Sequence, residues 1–212
     1  MAYLRILCAG GDGLLHRIKE FFFPPPVSTR EELRAFIAGE AAYLAQKTVV
    51  GYCRVKTMLD YEKLLAEAPF RDAQDQCRWE GYASTLGDVV IMVENWLRPD
   101  DPESRHRLAD SLAALYASIL MEAVPAHRQN WDDCIAAFGP RFAQAREADP
   151  AAPEKIVSGS AALIHEHVPI ADRLKRNDRE VILGDLRLHI LAAHASMQRR
   201  FRRDALVAAL VD

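Results

Sequence analysis

Residues 28–59, STREELRAFIAGEAAYLAQKTVVGYCRVKTML, decide the fold. Ser28 and Glu31 have the spacing of a capping box, in which a hydroxyl and a carboxylate satisfy amides left free in a helix's first turn. A helix is therefore expected from about Thr29. Its stripe of Leu33, Phe36, Ile37, Ala41, Leu44, Ala45, Thr48, Tyr52 and Val55 recurs in steps of three and four, as on a helix that turns one face to a core. The pattern runs to about Leu59 and continues through Tyr61, Leu64 and Leu65 as far as Pro69. No alternating Val, Ile and Thr run bounded by turn residues competes with it anywhere in the chain, so the expected class is all-α.

The same logic extends in both directions. Downstream, a helix is expected over residues 71–97, with Cys77, Leu86, Val89, Val90, Val93, Trp96 and Leu97 turned inward. Gly81, Ser84 and Gly87 near its centre are small enough for a partner helix to approach closely. Asp101, followed by Pro102 and Glu103, has the start chemistry of the next helix, which carries Leu108, Leu112, Leu115, Ile119 and Leu120 toward Pro125. Asn130 with Asp133 opens another, bearing Trp131, Ile135, Phe138 and Phe142, which Gly139 and Pro140 should kink or split. Residues 149–153 form a small-residue linker, and Ile156, Val157, Leu163 and Ile164 mark a helix that Pro169 ends. Asn177 with Glu180 makes a further capping box, leading a long helix through Ile182, Leu186, His189, Ala193, Met197 and Phe201.

Upstream, residues 12–23 have the pattern of a short amphipathic helix with Leu14, Leu15, Ile18, Phe21 and Phe22 on one broad face. Pro24, Pro25 and Pro26 stop it, because proline lacks an amide donor and drives the preceding residue toward an extended conformation. The expected organisation is an N-terminal amphipathic segment and proline hinge, residues 1–26, followed by a single bundle domain, residues 27–212, of about six to seven helices. No internal repeat or low-complexity segment interrupts it.

A chain of 212 residues, half of them hydrophobic, has enough material for a substantial core. Its charge, 27 basic against 30 acidic residues for a net of −3, is too balanced for coating nucleic acid by phosphate neutralisation, so a nucleic-acid partner is not expected. Cys8, Cys53, Cys77 and Cys134 stand singly, without the paired spacing of a zinc cage, and suit reduced thiols in a cytoplasmic protein. No apolar run of about 18 residues is present to span a membrane.

Reactive motifs are sparse. Ser158-Gly159-Ser160 lacks the GxSxG elbow and the strand that would present a serine on a strained turn. Cys134 lies beside Asp132 and Asp133, acids that disfavour a thiolate. Glu103 with His106 is one half of a di-iron pattern, at a helix N-terminus rather than mid-bundle. His165 and His167 are two apart and His189 and His194 five apart, spacings that do not aim both rings at one ion on a helix. His189, on the apolar stripe of the last long helix, is the remaining candidate for binding a haem or metal, although no cofactor is expected.

Two features point instead to surfaces. Arg199, Arg200, Arg202 and Arg203 cluster around Phe201, where they suit an acidic partner or the anionic face of a membrane. The N-terminal residues Leu14, Leu15, Ile18, Phe21 and Phe22 are the second, with their own domain, a protein partner and the lipid interface as candidate docking places.

The stretch from Ala45-Gln46-Lys47-Thr48 through Gly51-Tyr52 carries a resemblance to an all-helical bacterial family often labelled "esterase", as do Ser160-Ala161-Ala162-Leu163, Val168-Pro169-Ile170-Ala171-Asp172-Arg173-Leu174-Lys175 and Asp178-Arg179-Glu180. The similar portion spans residues 28–203 and departs from the pattern at Leu183, Gly184 and Asp185. The resemblance implies hydrolysis, but no residue of this chain matches a catalytic motif. The expectation is thus a non-catalytic interaction or regulatory protein, cytoplasmic and peripheral to the membrane through its ends, with a protein partner or a second copy of itself. A hydrolase with an unidentified nucleophile is the first alternative, and a haem- or metal-binding bundle the second.

Overall fold

A computed structural model describes residues 25–211. They form a helical bundle in the order α1 (Arg30–Thr57), α2 (Tyr61–Ala66), α3 (Ala68–Leu97), α4 (Pro102–Met121), α5 (Asp132–Glu147), α6 (Pro153–Ile156), α7 (Ser158–His167), α8 (Asp172–Lys175), α9 (Arg179–Arg200) and α10 (Arg203–Val211). Among the described residues there is no β-strand, only an isolated parallel bridge between Val27 and Phe201. The class is all-α, with more helical segments than the six to seven expected. The excess arises because two elements expected to be continuous are each broken, and because Tyr61–Ala66 and Asp172–Lys175 form short helices of their own. Val157 separates α6 from α7, and an extended Phe201 separates α9 from α10.

The first helix starts one residue later than expected. Thr29, not Ser28, is the N-cap, and the box closes on Glu32: its carboxylate accepts from the Thr29 amide at 3.1 Å and the Ser28 amide at 2.8 Å. The sequence STREE offers both registers, and only the second lets one carboxylate take two free amides. Val55, placed on the stripe by periodicity, is 72% exposed, whereas Tyr52 and Cys53 just before it are buried.

Helix α3 is the centre of the bundle, packed against α1, α4, α5 and α7. Residues 85–94 are buried on every side, as a helix apolar all round must be. It begins at Ala68, earlier than expected, with Pro69 in its first turn, where the missing amide costs nothing. Trp96, expected inside, is half-buried against Phe201 with ring centroids 5.6 Å apart.

Asp101 caps α4 as expected, its carboxylate accepting the Ser104 amide at 2.8 Å. Helix α5 is not split: Pro140 removes one donor, yet the helix continues through Glu147. Asn177 does not cap α9. The N-cap is Asp178, whose carboxylate is taken by the Tyr52 hydroxyl at 2.7 Å and by Lys56, leaving nothing for its own helix.

The break after α9 is set from the far end of the chain. Val27 donates to the Arg200 carbonyl and accepts from the Arg202 amide, both at 2.9 Å, and this pairing holds Phe201 extended. Phe201 packs edge-on to Phe36, 4.8 Å between centroids, locking the start of α1 to the end of α9. Among the described residues no helix is long and apolar enough to cross a membrane.

Candidate functional site

An apolar hollow runs along one face of α1. Ala35, Ala38, Gly39, Ala42, Ala45 and Gln46 form its floor, Arg78, Trp79 and Tyr82 of α3 one wall, and Ile119, Glu122 and Ala123 at the end of α4 the other. Its volume is about 420 Å³. The floor is low because α1 turns its large side chains, Leu33, Phe36, Ile37 and Leu44, to other neighbours and leaves alanines and a glycine here. Among the described residues, a Cβ built on Gly39 would meet nothing within 4 Å, so no described helix packs closely on the floor there.

The walls are rigid. Trp79 is edge-on to Tyr82 at 6.0 Å and backed by Trp131 at 6.5 Å, while Trp131 is pinned by its indole hydrogen bond to the Ala123 carbonyl at 3.0 Å. Arg128 covers the Trp131 ring at 4.5 Å and pairs with Glu80 at 2.6 Å. Across the hollow, Arg34 bonds Glu122 at 2.8 Å and the Ser118 carbonyl at 3.3 Å, tying α1 to α4. Burial pushes the Tyr82 phenol up to about 12, so it remains a neutral donor at physiological pH. Nε of Arg78, enclosed at the wall, has no hydrogen-bond partner among the described residues. The hollow therefore offers an apolar trough with donors at its edge, the composition of a site that takes an apolar body with polar ends.

A second, polar cluster lies on the opposite side of α3. Asp88 is fully buried and receives Arg141 of α5 and Ser160 of α7. Ser160 gives its only hydroxyl hydrogen to this carboxylate, so Ser84, 2.7 Å away, must be the donor to Ser160. Burial pushes the Asp88 carboxyl up, while the charge of Arg141 and the hydrogen bonds from Ser160 and Arg141 pull it down. A cavity of about 270 Å³ opens above, its wall including Ser84, Cys134 and Arg141. A nucleophile there would need a free base and donors for an oxyanion. Ser84 has already spent its proton on Ser160, and both carboxylate oxygens of Asp88 are engaged. The Cys134 thiol is pushed up to about 11, first by burial and also by Asp133, and so stays protonated. What the cluster does is clamp α3, α5 and α7 together.

The residues singled out in the sequence fall as follows. Leu14, Leu15, Ile18, Phe21 and Phe22 lie outside the described residues. Of the arginines, Arg200 bonds the Pro25 carbonyl at 3.1 Å and sits over Phe36 at 5.5 Å. Arg203 caps the end of α3 through the Trp96, Leu97 and Arg98 carbonyls at 3.3, 3.3 and 2.9 Å. Arg199 and Arg202 are exposed. His189 lies edge-on to Tyr43 at 5.4 Å with Nε2 3.5 Å from Asp185, whose other oxygen accepts the Thr48 hydroxyl at 2.7 Å. There the acid stands between imidazole and hydroxyl, the wrong order for a base to reach a nucleophile. His165 and His167 each bond a backbone carbonyl, Lys175 at 2.8 Å and Leu163 at 2.9 Å, and do not converge. Glu103 pairs with Arg107, and His106 with Asp110 at 3.6 Å, both on the surface. Among the described residues no group of three or more His, Cys, Asp or Glu is placed to hold a metal ion.

Neither the Asp88 cluster nor the trough emerges from the sequence reading. Asp88 and Glu94, both fully buried, interrupt the apolar run of α3, and a carboxylate inside such a run is itself a signal that a cation must meet it. For Glu94 that cation is Arg98, at 2.7 Å. The trough has a fainter signal: alanine and glycine at positions 35, 38, 39 and 42, on a second face of α1 that lacks charge. In comparisons with known proteins, no family model, curated protein or solved structure matches this chain.

Proposed function

We propose that the chain is a non-catalytic helical interaction protein that lodges an amphipathic helix of a protein partner in the trough between α1, α3 and α4. The observation that carries the proposal is the trough itself, an alanine-floored channel walled by Trp79 and Tyr82. Small floor residues admit the large anchors of a helix, which recur at i, i+3, i+4 and i+7 in such complexes. Tyr82, Arg78 and Gln46 at the edge meet the polar flank of that helix. The proposed setting is cytoplasmic, in keeping with the unpaired thiols of Cys53, Cys77 and Cys134. Hydrolase and haem- or metal-bundle readings have no comparable feature behind them.

The test is titration of a fluorescein-labelled helical peptide, with leucine and phenylalanine at i, i+3, i+4 and i+7, against the chain and a Gly39→Trp variant that fills the trough. The expected result is at least about tenfold weaker binding to the variant, equivalent to about 1.4 kcal/mol. Equal binding by both chains contradicts the proposal. So does turnover of short acyl esters that disappears in Ser84→Ala or Cys134→Ala.

A further inference from the structure

We infer that two copies of this chain pair through the outward face of α9, with the two helices antiparallel. This goes beyond the helix-binding trough, with which the face shares no residue. Helix α9 buries one side, where Ile182, Leu183, Leu186, Ile190, Ala193 and Met197 meet the bundle. Its opposite side is not the polar surface that a helix packed on one face ordinarily shows. Val181, Gly184, Leu188, Leu191 and Ala195 follow one another there at steps of three, four, three and four. Among the described residues no element lies over them: Val181 is 59%, Leu188 66% and Leu191 44% exposed. An apolar seam of about four turns at this spacing, with no charge in it, is the pattern by which one helix packs along another. Tyr43 of α1, exposed and edge-on to His189 at 5.4 Å, widens the face.

The charges beside the seam select a second α9 as the occupant and set its direction. One flank carries Asp185, Ala192 and Arg199, the other Glu180, Arg187 and His194. A parallel pair sets Glu180 of one copy against Asp185 of the other, acid against acid, and leaves Arg199 facing His194. Turned antiparallel, with Leu188 of each copy against Leu191 of the other, the helices bring Asp185 of each beside Arg199 of the other. Two opposite-charge pairs then form, related by the twofold axis. Asp185 keeps its bond from Thr48 and has lone pairs left for a guanidinium, and Arg199 is exposed, with no carboxylate partner among the described residues. In the same register Gly184 and Ala195 fall opposite one another and let the backbones approach. On the other flank Glu180 stands opposite His194. The two Arg187 side chains come near the axis, each turned toward its own body, where Nε donates to the Glu154 carbonyl at 3.4 Å. The opposed helix dipoles favour the same direction. A face that complements itself on half a turn closes at two copies.

The test is sedimentation equilibrium of the full chain and three variants, each checked for an intact fold by circular dichroism. The wild type should sediment at twice the chain mass. Leu188→Asp/Leu191→Asp, at two exposed positions, should raise the dimer dissociation constant at least about hundredfold, because both leucine layers are lost. Arg199→Glu alone and Asp185→Lys alone each place like charges together twice and should weaken the dimer at least about tenfold. An equal mixture of those two chains should recover the dimer as a heterodimer, since every pair across the axis is then of opposite sign. A wild-type chain that stays monomeric overturns the inference, whether the face is then met by another segment of the chain or by a different protein. A dimer that survives Leu188→Asp/Leu191→Asp overturns the choice of surface. A mixture no tighter than its components overturns the antiparallel register.

Discussion

The bundle presents small side chains in two places, and their fates differ. On α3, Gly81, Ser84 and Gly87 are covered: Cγ1 of Ile164 lies 3.2 Å from where a Cβ would stand on Gly81, and Cδ2 of Phe138 lies 3.1 Å from the same point on Gly87. On α1, a Cβ on Gly39 would meet nothing within 4 Å among the described residues. Beneath the covered line, Asp88, Arg141, Ser160 and Ser84 satisfy one another; beside the open one, Nε of Arg78 is enclosed without a partner among the described residues. Small residues permit close approach in both places. Only the neighbours show whether the approach has been used to build the fold or remains available to a helix from elsewhere.

That contrast can be broken most severely on the covered side. Asp88→Ala removes the carboxylate that Arg141 and Ser160 share, and breaking such a buried pair costs about 3 kcal/mol. For a chain of this size the loss should lower Tm by about 6–12 °C by calorimetry. Replacing both partners, Asp88→Leu with Arg141→Met, should recover most of it, because no buried charge is then stranded. A single variant as stable as the wild type would mean that the cluster does not hold α3, α5 and α7 together.

A matched pair of smaller changes probes both sides at once. Gly87→Ala drives a methyl into Phe138 and the Arg141 guanidinium, a strain of about 1–3 kcal/mol that exceeds the helix-propensity gain of about 1 kcal/mol. Gly39→Ala meets nothing among the described residues and should stabilise by about 0.5–1 kcal/mol. Opposite signs in urea unfolding are expected; equal signs would erase the distinction between filled and open.

The wall of the trough has an acid-sensitive support. Burial alone would push the Glu80 carboxyl up, but hydrogen bonds from Arg128 and His127 hold it below its ordinary value of 4.5. A depressed carboxyl stabilises the fold above its unfolded pKa, and that contribution is lost as pH falls through the lower, folded value. Unfolding free energy measured by urea should therefore drop below pH 4.5, and more steeply in the wild type than in Glu80→Gln. Smallest of all is Ala42→Trp on the open floor, which should change stability within about 0.5 kcal/mol while weakening helix binding.

How far the sequence anticipates this depends on the range of the interaction that sets each feature. Asp101 with Pro102 and Glu103 forecasts the start of α4 because cap, ring and carboxylate act within one turn. Periodicity likewise places Leu33, Phe36, Ile37 and Leu44 in the core. It misplaces Val55, which stands exposed while Tyr52 and Cys53 beside it are buried. It carries α9 straight through Phe201, since the partner that stops it, Val27, is far away in sequence. The capping pattern at Asn177 and Glu180 fails because Tyr52 and Lys56, from α1, fix Asp178 as the first residue outside the helix. The trough is least legible. Alanines at 35, 38 and 42 look like ordinary helix filler until Trp79, Tyr82 and Glu122 stand around them. Ser160 and Cys134 are visible as chemical groups in the sequence, but only packing shows that one is spent on Asp88 and the other held as a protonated thiol.

The three tryptophans allow a direct measurement. Trp79 forms a wall of the trough, Trp131 stands behind it in the core, and Trp96 packs against Phe201 at the other end of α3. Indole N–H resonances in an amide-type NMR spectrum report each separately as the leucine- and phenylalanine-bearing helical peptide is added to the full chain. The Trp79 resonance should shift in proportion to occupancy while Trp96 stays fixed. A peptide that binds but leaves Trp79 unmoved, or moves Trp96 instead, would contradict the assignment of the trough as the binding surface.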